Sequence, residues 1–193
     1  MKGYIKIRKK ALSILNSKLS NKLFYHGAHH SINALKVCNQ YLKYENINDH
    51  DAKLLRIGVL LHDIGFSVSY VNHEFESVKI AKQLMNEFGF SKEDFLIIKK
   101  LILVTKIPQN PKSKLEKIIC DVDLDYLGTK QYYKISNLLL EELKVFSKID
   151  SINNWNNIQL RFLENHKYHT NFAIKNRQHK KEERIKELKL LNN

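Results

Sequence analysis

The chain has 193 residues with 33 Lys or Arg against 20 Asp or Glu, a formal charge of +13, and only two cysteines, two prolines and six glycines. That length supports one domain with a full apolar core, and Cys38 and Cys120, far apart and outside any Cys-x-x-Cys spacing, exclude a disulfide framework and suit a reducing cytoplasm. No run approaches membrane-spanning length, the basic N-terminal stretch lacks the unbroken apolar centre of a signal peptide, and Lys is spread evenly with Asn and Ile. Neither a membrane nor nucleic acid is therefore expected as primary partner, although a positive field steers small phosphorylated molecules.

Scarce Gly and Pro, with apolar residues spaced by three and four, predict an all-α fold. One domain is expected over residues 1–193, with a motif-bearing core at about 22–150 and a C-terminal helical extension at 151–193. The first helix is expected from about Tyr4 to Leu19, with Ile5, Arg8, Leu12, Leu15 and Leu19 on one side. The second follows the run YHGAHH and carries Ile32, Leu35, Cys38 and Leu42 as its apolar stripe. His26 and His30 are four apart and share a helical face, which lets two imidazoles converge on one ion or phosphate, whereas His29 points away from His30.

The stretch Leu54 to Gly65 reads LLRIGVLLHDIG. Leu54, Leu55, Ile57, Val59, Leu60 and Leu61 point to all sides, so this helix is expected to be buried, with an N-cap among Asn48, Asp49 and Asp51 and Gly65 as a left-handed stop. His62 and Asp63 are then interior. A helix C-terminus opposes a buried carboxylate, so a cation is expected against the pair, a metal ion being one candidate.

His73 and Glu74 open the next helix, with Phe75, Val78, Ala81, Met85 and Phe88 at helical spacing and Gly89 as its stop. Glu74 suits the helix dipole there, and His73 returns only eleven positions after His62. Ser91 with Asp94 starts another helix, followed by Lys106 and a break at Pro108 and Pro111. Ser113 and Glu116 form a capping box for KLEKIICDVDLDYLG. On that helix Leu115, Ile118, Ile119, Val122 and Tyr126 mark the apolar face; Asp123 and Asp125 flank it at roughly 80°, and Asp121 lies roughly 120° away. Asp123 or Asp125 can therefore turn inward.

A further helix is expected from about Lys130 to Ile149, then a segment whose Trp155, Ile158, Phe162, Leu163 and Phe172 read as core. His166, Tyr168 and His169 are candidates to cover a ligand, and Arg177 to Lys189 reads as a solvated amphipathic helix with Ile185 and Leu188 inward.

The order His30, then His62–Asp63, then Asp123 resembles the HD superfamily of metal-dependent phosphohydrolases, and YHGAHH is similar to the Y-H-N-x-x-H motif of cyclic-nucleotide phosphodiesterases. The resemblance covers about Tyr25 to Gly128 and implies an all-helical fold with metal ligands His30, His62, Asp63 and Asp123, Asp121 being the alternative fourth. It implies His26 as the phosphate-facing acid, Asp63 also as the group that orients water, and His73 with Glu74 as contacts to a second metal or to phosphate. Where the family places a further histidine this chain has Thr105 and Lys106, so Lys106 is expected to meet phosphate as a fixed cation; Arg161 and Tyr168 are further substrate candidates. Mixed imidazole and carboxylate ligands suit Mn, Fe, Ni, Co or Zn, with Mg also admitted, as one ion or two. The implied activity is hydrolysis of a nucleotide or other small phosphate ester, monoester or phosphodiester, by metal-activated water. The alternative is a non-catalytic helical protein that binds nucleic acid or a signalling nucleotide.

Overall fold

The computed structural model describes residues 2–146 and 152–191, which contain ten α-helices and no strand. They are α1 (Lys2–Lys18), α2 (Ala28–Tyr44), α3 (Asp49–Leu61), α4 (His73–Glu87), α5 (Lys92–Leu103), α6 (Lys114–Asp123), α7 (Tyr132–Phe146), α8 (Ile152–Asn165), α9 (Asn171–Asn176) and α10 (Gln178–Leu191). One-turn 3₁₀ helices follow α3 at Ile64–Ser67 and α6 at Asp125–Gly128.

The molecule is built around α3. Because it is apolar on every side, it needs neighbours on every side, and α1, α2, α5 and α6 pack against it. Leu54, Leu55, Ile57, Val59, Leu60 and Leu61 are all fully buried. Local signals set the helix ends. The Asn48 side chain accepts the Asp51 N–H, Ser91 accepts that of Asp94, and Ser113 with Glu116 forms the reciprocal capping box, each such cap contributing about 1 kcal/mol. Gly89 ends α4 at φ +71°, as its position predicts.

Gly65 differs from expectation. It is not left-handed; it sits in the 3₁₀ turn, where a Cβ would lie 1.9 Å from the His73 carbonyl oxygen and 2.6 Å from the Ser77 N. Its N–H donates to Ser77 Oγ at 2.8 Å, so the missing side chain is what lets α4 dock on the turn.

Three helix faces differ in part: Leu15 of α1, Cys38 and Leu42 of α2, and Ala81 and Met85 of α4 are buried as expected, but other positions are not. In α1 the buried residues are Ile7, Ala11 and Leu15, while Ile5 is 61% exposed. In α2 they are Ser31, Ala34, Cys38, Tyr41 and Leu42, and Ile32 is exposed. Ile5, Leu12, Ile32 and Leu35 do share a surface, but it is a shallow groove between α1 and α2. Phe75 of α4 is likewise exposed, and Glu74 and Ser77 take the inward positions. The expected end of α7 near Ile149 lies outside the described residues.

The C-terminal helices fold back over α6. α10 packs on α8 and on the 3₁₀ turn Asp125–Gly128. Lys181 of α10 is buried, its Nζ donating to the His166 carbonyl at 2.5 Å.

Candidate metal centre

Three helix ends meet at one point. The first turn of α2 brings His30, the turn after α3 brings His62 and Asp63, and the last residue of α6 is Asp123. One ligand atom from each lies within 4.8 Å of all the others. His30 Nε2 is 3.3 Å from His62 Nε2, 3.4 Å from Asp63 Oδ2 and 3.3 Å from Asp123 Oδ1. His62 Nε2 lies 3.2 Å from Asp63 Oδ2 and 3.3 Å from Asp123 Oδ1. These separations match those between ligands that share one ion at about 2.0–2.2 Å.

The protonation pattern fits a cation as well. His62 Nδ1 lies 2.7 Å from the Val59 carbonyl, which can only accept, so Nδ1 carries a hydrogen and Nε2 is the nitrogen turned to the cluster, free to exchange its proton for a metal. Burial alone would push the His62 imidazole down, but the Asp63 and Asp123 carboxylates hold it well above its ordinary value. Burial would raise Asp63, and His62 overrides it to hold that carboxyl well below its usual range; Asp123, also buried, is drawn down to about 2 by hydrogen bonds to His30 and His62. The cluster therefore favours positive charge at its centre, and it can coordinate one divalent metal ion.

His73 and Glu74 stand beside these four. His73 Nε2 is 3.3 Å from Asp63 Oδ1 and 3.7 Å from Glu74 Oε1. Phe66 fills the space between His73 and His26, stacked on the first at 3.9 Å and on the second at 4.3 Å between ring centroids.

His26 Nδ1 pairs with Glu142 Oε1. Glu142 Oε2 also accepts the backbone N–H of Tyr25 at 2.8 Å and of His26 at 3.0 Å, and the side chain is wholly buried. Burial would raise the Glu142 carboxyl, but these hydrogen bonds from His26 and Tyr25 hold it below its ordinary value. Sequence reading did not find Glu142. Its only signal is a carboxylate set among Leu140 and Leu143 on an apolar helix, and nothing local connects it with a histidine 116 positions earlier.

The three aspartates of DVDLD go to different places. Asp123 joins the cluster. Asp121 is fully buried, contrary to its position on the helical wheel, because residues 169–170 form a second surface over α6. Its carboxylate accepts the N–H of His169 at 2.9 Å and the N–H and hydroxyl of Thr170 at 2.8 and 2.7 Å. Burial raises its pKa to about 6 despite these donors. Asp125 accepts from the Tyr41 hydroxyl and from Arg177 Nε, both at 2.8 Å.

A cavity of about 400 Å³ opens beside the cluster. One wall carries His26, Asp63, His73, Glu74, Lys106 and Asp123, and the facing wall comes from α7 and α8. Lys106 Nζ donates to Asn72 Oδ1 at 3.3 Å and sits 5.3 Å over the Phe75 ring. Tyr168 does not line this cavity; it is buried, its hydroxyl donating toward the Leu124 and Asp125 carbonyls at 3.3 and 3.4 Å. Arg161 is exposed and does not line it either, and His166 and His169 border a separate hollow.

A helical fold whose helix ends gather two histidines and two aspartates in the order H, HD, D defines a class, and the comparison with known families agrees. The HD domain model matches residues 27–125, just over half of the chain, and the protein belongs to the HD domain family. It is similar to an uncharacterized protein of Clostridium beijerinckii (strain ATCC 51743 / NCIMB 8052), with 28% identity over 85 residues, 42% of this chain and 54% of that protein. The chain thus spans about half the length of this curated relative. No solved structure matches. Among the described residues no helix is long and apolar enough to cross a membrane.

Proposed function

We propose that the protein is a metal-dependent phosphohydrolase acting on a small phosphate ester, with His30, His62, Asp63 and Asp123 as metal ligands. The observation that carries this reading is the convergence of those four side chains at the wall of a cavity large enough for a small ester. A divalent cation held there supplies Lewis acidity and a water nucleophile active at neutral pH. Mn, Fe, Ni, Co or Zn suits the donors, Mg is admissible, and His73 with Glu74 beside Asp63 would serve a second ion or the phosphate.

The remaining roles fall to the chain's own groups. Glu142 fixes His26 through Nδ1, which leaves Nε2 for the cavity, where it gives a proton to the departing oxygen. Lys106 offsets negative charge that builds on the phosphoryl oxygens. Asp63 orients the attacking water from a carboxylate held ionised by His62. Nucleotides lead the substrate class implied by the family resemblance.

Elemental analysis of the purified protein beside Asp63→Ala tests the proposal. About one metal equivalent is expected in the wild type and none in the variant, and a panel of phosphate esters should then be turned over with that ion. Two equivalents would add the second site. No metal in either protein, with none taken up on titration, would sink the reading and leave His62 and Asp63 as a structural pair.

A further inference from the structure

The two walls of the cavity differ in kind, and the wall facing the cluster is selective. Lys106 is the single lysine or arginine among the described lining residues, which provides for one phosphate and not for a chain of them. The facing wall presents Tyr132, Leu139, Leu143, Trp155, Ile158 and Phe162. Most of the polar atoms beside them are already engaged. The Tyr132 hydroxyl donates to Gln159 Oε1 at 2.8 Å, the Gln159 amide reaches Asn156 Oδ1 at 3.5 Å, and Ser136 Oγ donates to the Tyr133 carbonyl at 3.3 Å. A polyhydroxylated group entering here would give up its water without regaining those hydrogen bonds.

The Trp155 indole nitrogen is itself fully buried, so this residue offers a ligand the apolar surface of its ring and not its N–H.

We propose that this wall holds the alcohol portion of the substrate, and that the preferred substrate is the phosphomonoester of an apolar, ring-bearing alcohol. This rests on the phosphohydrolase reading above. In the reaction the water oxygen bonds to phosphorus, the bond between phosphorus and the alcohol oxygen breaks, and that oxygen takes a proton. The products are inorganic phosphate and the free alcohol, so the alcohol alone retains affinity for the wall.

Trp155 is the only tryptophan in the chain, so its emission reports on this wall without a label. The probes are 4-hydroxycyclohexanone, cyclohexanol, glycerol and adenosine, titrated into the full chain while its metal content is measured in parallel. A saturable shift of emission is expected with 4-hydroxycyclohexanone and with cyclohexanol, since the ring surface and not a polar contact carries the binding. Glycerol should give no saturable shift. Leu139→Phe narrows the wall and should weaken 4-hydroxycyclohexanone about tenfold while keeping wild-type metal content and helical signal. If that variant loses its helical signal, Leu143→Phe makes the same test.

An equal response to glycerol, or no saturable response in a protein that holds its metal, would overturn the proposal and leave the phosphohydrolase reading intact. Tighter binding of adenosine than of both cyclic alcohols would overturn it in favour of a nucleoside. Saturable binding of the cyclic ketone to a wild type devoid of metal would keep the apolar site and sink the phosphoester.

Discussion

The carboxylates of α6 and the turn that follows face two regions with opposite electrostatics. Toward the C-terminal helices, Asp121 meets three donors from His169 and Thr170, and Asp125 meets Arg177 together with the Tyr41 hydroxyl from the far end of α2. Toward α2 and α3, Asp123 stands with Asp63 against imidazoles, and its other oxygen accepts only a long hydrogen bond of 3.4 Å from the Gln109 amide. An imidazole nitrogen offers a lone pair as readily as a proton, so that region stays open to a cation. Buried charge therefore marks a site here only where its partners are themselves metal ligands. Where backbone N–H groups, a hydroxyl or a guanidinium complete it, the same residue type is scaffold.

The strongest way to break this contrast is to exchange the two neighbours. Asp123→Asn should lose the bound metal and with it turnover, while keeping its fold. Asp121→Asn should keep the metal and lose about 1–3 kcal/mol of stability, read as a shift in denaturant midpoint. The reverse order would move the ligand to Asp121.

His26→Ala comes next: metal content should match the wild type while kcat falls about 10²- to 10⁴-fold. Metal loss in that variant would sink the division between ligands and acid. Glu142→Gln should lower kcat by about tenfold with little change in KM, because its work is to hold His26. The same variant carries a smaller pH signature. Folding holds the Glu142 carboxyl below its usual 4.5, so its contribution is present above that value and is lost as pH falls through the lower folded one. The stability gap between wild type and Glu142→Gln should be full, about 1–2 kcal/mol, near neutrality and should close on acidification. A gap that widens in acid would contradict the assigned pairing.

The contrast also explains what the sequence made legible. His62 and Asp63 stood out because their own helix is apolar on every side, and the face geometry of α6 allowed Asp123 or Asp125 to turn inward, with the family pattern choosing Asp123. Asp121 could not be placed, since its surroundings come from residues 169–170, which no helical wheel of α6 contains. Glu142 escaped for the same reason across a longer gap. The faces of α1 and α2 were misjudged in part because bulky Ile5 and Ile32 outweigh Ala11 and Ala34 on any wheel. Close packing instead puts the small residues against the neighbouring helices and leaves the large ones along a surface groove.

Two glycines end with different evolutionary freedom. Gly89 has a left-handed backbone and open space around it, so Gly89→Asn should cost only a few tenths of a kcal/mol. Gly65 has no positive φ, and any side chain there collides with the backbone of His73 and Ser77, so neither Asn nor Ala is a neutral step. Gly65→Ala should lower the melting temperature and displace the start of α4. Val68 and Val71, exposed on the intervening loop, are free to drift. The reach from the HD pair to His73 is thus inherited through an atom that is missing, while the loop that spans it can change.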